Sequence, residues 1–248
     1  FLLLLLINLI YYFNYLINHL INIYINYLKQ HNFTKYMISI NEIIDIIGMT
    51  LFTGVLFADT FRKPKITPQF EGIPDIKSYN RFNWEDIKYA AMIIAPGIIL
   101  HELAHKFTAL ALGNQATFMA FYRSPSLRNL GFFALLMKFM GFGFIFLVPG
   151  FVVHSRTDPL SSAIISISGP LVHLLFWQGS IILLKNENLR KKIFGKKKLS
   201  QSTANALFQS GRINKFLLIF NLLPIPFLGT DGYQFLRDII IVIKSLFG

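Results

Sequence analysis

Two histidines and a glutamate, His101, Glu102 and His105, form a His-Glu-x-x-His pattern in this chain. On a helix, residues four apart share a face. Both imidazoles therefore point the same way and can hold one zinc ion through nitrogen. Glu102 lies one step round, close enough to take a proton from a water that the ion activates. The surroundings are apolar, from Ala90 to Leu100 on one side and Phe107 to Leu112 on the other. Ionisable groups in such a segment are costly unless they are paired or bind metal. The pattern is therefore expected to be functional; the alternative is a chance match whose histidines are only hydrogen-bonded.

A catalytic zinc usually takes three protein ligands and keeps one position open. Beyond His105 the chain has four carboxylates, Asp158, Glu187, Asp231 and Asp238. Glu187 adjoins a basic loop and reads as a solvated charge. Asp158 precedes a proline and reads as a turn residue. Asp238 follows Arg237 and reads as an exposed ion pair. Asp231 follows a stretch broken by Pro224, Pro226 and Gly229, where freed backbone groups need partners. It is the expected third ligand, against the alternative of an Asp-Gly turn at a helix end. His154 and His173 are rival ligands, each otherwise a hydrogen-bonded histidine. Glu42 and Asp45 stand near the start of another apolar segment and have no independent support as ligands.

The elements that position these residues are apolar. The chain has 248 residues, 54% hydrophobic and 15% charged, against about 25% charged in ordinary soluble domains. Its mean hydropathy is +0.51. The expected class is an all-α, multi-pass membrane protein with about six transmembrane segments, located in the cell membrane. Cysteine is absent, which excludes disulfides and thiolate ligands. The net charge is +12. Many of the cations fall in 185–198, between apolar segments, which favours a membrane-flanking loop over nucleic-acid binding.

Residues 1–60 are expected to hold N-terminal transmembrane segments. The first of these carries Asn14, Asn18, Asn22 and Asn26 on one helix face. Residues 61–86 read as a polar connector, 87–238 as the catalytic core and 239–248 as a C-terminal apolar segment. Phe rather than Met at position 1 fits a piece of a longer chain. Residues 114–129 read as irregular. Residues 131–153 are apolar but broken by Gly131, Gly141, Gly143, Pro149 and Gly150, and read as a re-entrant or β-like element that does not fully cross. Such an element lets the segments bearing His101 and Asp231 run parallel, with 160–184 returning between them.

Four stretches carry a family resemblance: Ala95-Pro96-Gly97 through His101-Glu102-Leu103-Ala104-His105, Val148-Pro149-Gly150, Ser168-Gly169-Pro170 through His173, and Asn221-Leu222-Leu223-Pro224 through Asp231-Gly232. Together they resemble the site-2 protease family of intramembrane zinc metalloproteases (peptidase family M50), in its compact archaeal-type form, over roughly residues 87–238. The resemblance implies that His101, His105 and Asp231 hold one zinc ion and that Glu102 activates water. It implies that Asn221 helps orient the substrate or transition state. The implied substrate is a transmembrane protein cut within or near its membrane helix. The chain departs from the family twice. The aspartate follows Asn221 by ten positions rather than the usual eight, and His173 stands where the family often has Asn. The alternatives in other functional classes are a metal transporter and a catalytically inactive relative.

Overall fold

The computed structural model describes residues 38–62, 83–141, 150–195 and 198–247. The expected first span and its asparagine stripe, most of the 61–86 connector and residues 142–149 of the glycine-broken element lie outside the described residues. By contact the chain divides into two units, 1–43 and 44–248. In the first unit the described residues open helix α1 (Ile40–Phe57) with a capping box. The Ser39 amide donates to Glu42 Oε2 at 2.7 Å and the Glu42 amide to Ser39 Oγ at 3.2 Å, satisfying two amides the helix start would leave unpaired. Glu42 is thus a capping residue.

The second unit continues with α2 (Trp84–Ala111), β1 (Ala116–Ala120), a 3-10 turn (Phe121–Arg123), α3 (Pro125–Phe139), β2 (Gly150–His154), α4 (Pro159–Lys185), α5 (Glu187–Phe194), α6 (Gln201–Leu222), a second 3-10 turn (Pro226–Leu228) and α7 (Asp231–Phe247). The protein is therefore mostly helical with a small sheet, rather than all-α. Residues 114–129, expected to be irregular, contain β1 and the start of α3. Neither Ala116–Ala120 nor Gly150–His154 alternates apolar with polar residues, the signal that marks a half-buried strand.

Among the described residues, three helices are long and apolar enough to cross a membrane: α1 with 18 residues, α2 with 28 and α4 with 27. The six expected spans are not supported. Helix α6 carries Arg212, Lys215 and a polar first turn. Helix α7 has only 17 residues and includes Asp231, Arg237, Asp238 and Lys244. A helix needs about 20 mostly apolar residues to span a bilayer. The apolar face of α4 fits membrane association: Ile164, Leu171, Leu175 and Ile182 are exposed along it, a pattern that water would penalise.

Helix α4 packs against α2, α6 and α7 and forms the centre of the unit. Its N-cap Asp158 accepts from the Ser161 amide at 2.9 Å. That side-chain hydrogen bond holds the Asp158 carboxyl below the usual carboxylate range. Met49 of α1, Tyr89, Ile93, Ile94 and Ile98 of α2, and Phe118 of β1 form one buried cluster. The strands pair antiparallel, Ala116 opposite His154 and Ala120 opposite Gly150. The pairing extends one step, with the Ser155 amide donating to the Gln115 carbonyl at 3.0 Å. The chain leaving α2 and the chain entering α4 are thereby tied together, so the segment between them returns to the end it left.

Candidate metal centre

Helix geometry brings His101 and His105 together on α2, with Nε2 atoms 3.1 Å apart. Helix α4 crosses them at Gly169. A side chain there would run into His105 Nε2 and lie 2.7 Å from His101 Nε2, so only glycine lets the backbones approach this closely. The third residue comes from the first turn of α7. Asp231 Oδ2 lies 3.2 Å from His101 Nε2, and Asp231 Oδ1 lies 3.3 Å from His105 Nε2. His101, His105 and Asp231 could hold a metal ion. Both histidines and Glu102 are buried.

The hydrogen bonding fits a cation. His105 Nδ1 donates to the Ile165 carbonyl at 2.7 Å. An imidazole that gives its proton at Nδ1 presents a lone pair at Nε2, and such a bond commonly fixes a ligating histidine. That lone pair meets a second imidazole nitrogen and a carboxylate, which is acceptor-only when ionised. A cation at their meeting point satisfies all three.

The stretch between Asn221 and Asp231 has a local structure. After α6 the chain makes the second 3-10 turn, and Gly229 closes it with φ at +61°, a backbone shape suited to glycine. Thr230 is buried and fastens the loop. It donates through Oγ1 to the Leu223 carbonyl at 2.5 Å and accepts from the Ile225 amide at 3.1 Å. From this clasp Asp231 reaches both histidines.

A cavity of about 370 Å³ adjoins the cluster. His101, Glu102, His105, Asn221 and Asp231 line one side, and Gly150, Phe151, Val152 and His154 of β2 line another. Among the described residues β2 pairs only with β1, so its second edge is free of strand partners.

The remaining sequence candidates fall elsewhere. His154 borders the cavity, outside the ligand group, and donates from Nδ1 to the Ser155 carbonyl at 2.9 Å. His173 packs its ring on His101, outside the same group. Glu187 is exposed and sits 3.5 Å from Arg190. Asp238 pairs with Arg237 at 2.7 Å, as the sequence suggests, but it is buried rather than exposed and also accepts from Ser162 Oγ at 2.5 Å. Asp45 is buried on α1, where Arg123 Nε approaches at 2.8 Å and the Tyr122 hydroxyl donates at 2.6 Å. Burial, then the bond to Asp45, pushes the Tyr122 phenol up to about 12.

Sequence reasoning missed three contributors: the Ile165 carbonyl, Gly169 and Thr230. Gly169 belongs to a noted motif without an assigned role; the others carry no distinguishing local pattern. No family model, no curated protein and no solved structure matches the chain.

Proposed function

We propose that this chain is a multi-pass, membrane-embedded zinc metalloendopeptidase of the site-2 protease type. The observation that carries the reading is the convergence of His101 Nε2, His105 Nε2 and the two carboxylate oxygens of Asp231, with each imidazole nitrogen 3.1 Å from the other and 3.2 or 3.3 Å from one of those oxygens, next to Glu102 on an apolar helix. Ligands bound tetrahedrally to zinc lie about 3.3 to 3.6 Å from one another, given bond lengths of about 2.0 to 2.2 Å. Two imidazoles and a carboxylate, with a cavity alongside, also suit a catalytic site with an open position. Zinc, when bound, supplies a Lewis acid that polarises the scissile carbonyl and lowers the pKa of water toward about 7.

The protein's own groups supply the rest. Glu102 takes the proton of the attacking water and delivers it to the leaving amine. Asn221, on the cavity wall, donates from its amide to the substrate carbonyl or to the oxyanion that forms there. The substrate is a transmembrane helix, whose backbone is internally hydrogen-bonded and must unwind locally before attack. The edge of β2 that has no strand partner among the described residues offers backbone partners to that unwound stretch, by strand addition. Phe151, Phe220 and Leu228 give the cavity an apolar wall, suited to side chains from a membrane span.

The test is cleavage of a transmembrane model substrate by the purified, zinc-loaded chain and by Glu102→Gln. The reading expects cleavage within or near the span by the wild type, and none by the variant despite bound metal. Equal cleavage by both, or none by either with zinc bound, removes the protease reading. Metal transport that survives Glu102→Gln would replace it with the transporter.

A further inference from the structure

The metal group leaves one buried histidine beside it without a role. His173, on α4 one turn beyond Gly169, is 1% exposed. Its ring lies 4.6 Å from that of His101, with the planes 31° apart. Its Nδ1 is 2.8 Å from Oδ1 of Asn214 on α6, a residue with no exposure at all. The Asn214 amide is oriented from its other end, where Nδ2 donates to the Ser210 carbonyl at 2.8 Å. An amide oxygen only accepts, so His173 Nδ1 carries the proton. Helix α2 makes room for this pair at Gly97, one turn before His101, where a side chain would strike the Asn214 amide. Three helices are thus cut to fit one polar contact behind a metal ligand.

The two ligating histidines are held differently. A ligating imidazole is usually oriented by a hydrogen bond at its second nitrogen. His105 has that bond, to Ile165. His101 does not: its Nδ1 is buried with no hydrogen-bond partner among the described residues. The His101 ring instead packs against the ring of His173. We propose that His173, fixed by Asn214, is a positioning residue for His101. Ring packing replaces the missing hydrogen bond and sets the affinity and geometry of the metal site. The proposal rests on the metal-site reading given above.

The experiment uses the full chain in detergent, stripped of metal and titrated with cobalt and, in competition, with zinc. Affinity, stoichiometry and the cobalt absorption spectrum are read together, and the metal-free melting temperature reports folding. Wild type is expected to bind one ion. His173→Ala and Asn214→Ala should keep that stoichiometry, weaken affinity by roughly 10- to 100-fold, the range for lost supporting contacts, and shift the cobalt bands. The double variant His173→Phe/Asn214→Leu removes both hydrogen-bonding partners but keeps a ring on His101. Because paired apolar replacement is nearly neutral, it should return affinity to within about threefold of wild type. A merely structural role would not move the spectrum or be rescued in this way.

Unchanged affinity and spectrum in the alanine variants would overturn the proposal. Loss of the ion altogether would also overturn it, by making His173 a ligand. If His173→Ala does not fold, Asn214→Ala and the double variant decide by the same criteria. A wild type that binds no metal removes the metal-site reading and this inference with it.

Discussion

Two buried polar clusters lie in the same unit, and they differ in what they leave over. Around Asp45, a carboxylate meets one guanidinium and one hydroxyl, and its charge is balanced by Arg123. Around Asp231, a carboxylate meets two imidazole nitrogens, donor atoms crowd one point, Glu102 stands beside them, and a cavity opens next door. The first cluster is complete as hydrogen bonding; the second is a group that could hold a metal ion. The difference is that the neighbours of Asp231 converge on a shared point with room beside it, and those of Asp45 do not. Burial alone does not distinguish them, since Asp45 is more deeply buried than Asp231, with side chains 2% and 16% exposed.

If the contrast holds, damage to the two clusters gives opposite signatures. The largest effect is expected from Asp231→Ala, which should lose bound metal and cleavage beyond detection. Metal analysis and a cleavage assay on one preparation check this. Glu102→Gln should keep the metal and lower turnover by at least the roughly 10²- to 10⁴-fold that a positioned acid–base group contributes. Asp45→Ala should do the reverse. It leaves metal content and turnover near wild type but lowers unfolding free energy by about 2 to 3 kcal/mol, below the full range for a broken buried pair because the Arg123 side chain is 35% exposed. A denaturation curve in detergent reads this. Loss of metal in Asp45→Ala would collapse the distinction.

The smallest effect is alkaline. The Tyr122 phenol is raised in the folded state, so its contribution is present below the unfolded pKa, about 10. It is lost as pH rises through the folded value of about 12. Melting between these limits should fall faster for wild type than for Tyr122→Phe.

The three residues that could hold a metal ion were legible because their signals are chemical and local. His101 and His105 follow from helix spacing, and Asp231 from elimination among four carboxylates. The ten positions from Asn221 to Asp231 hold a 3-10 turn closed by Gly229 and clasped by Thr230, contacts visible only in three dimensions. Among the described residues only α1, α2 and α4 are long and apolar enough to cross, and the six expected spans are not supported, because α6 and α7 interrupt their apolar runs with charged residues. The sheet was only half legible. Glycines signalled an interruption, but neither strand alternates apolar with polar residues. Asp238 was read as exposed because its neighbour Arg237 explained it locally, whereas Ser162 of α4 also reaches it. The His173–Asn214 contact joins residues 41 apart on two helices, and no single-sequence pattern links them.

The measurement that tests the central claim most directly is zinc content per chain, taken with cleavage of a transmembrane substrate, for wild type, Glu102→Gln and Asp231→Ala. The account predicts one zinc with cleavage in the wild type, one zinc without cleavage in Glu102→Gln, and neither in Asp231→Ala. Full zinc occupancy in Asp231→Ala, or a wild type that holds no zinc, would contradict it.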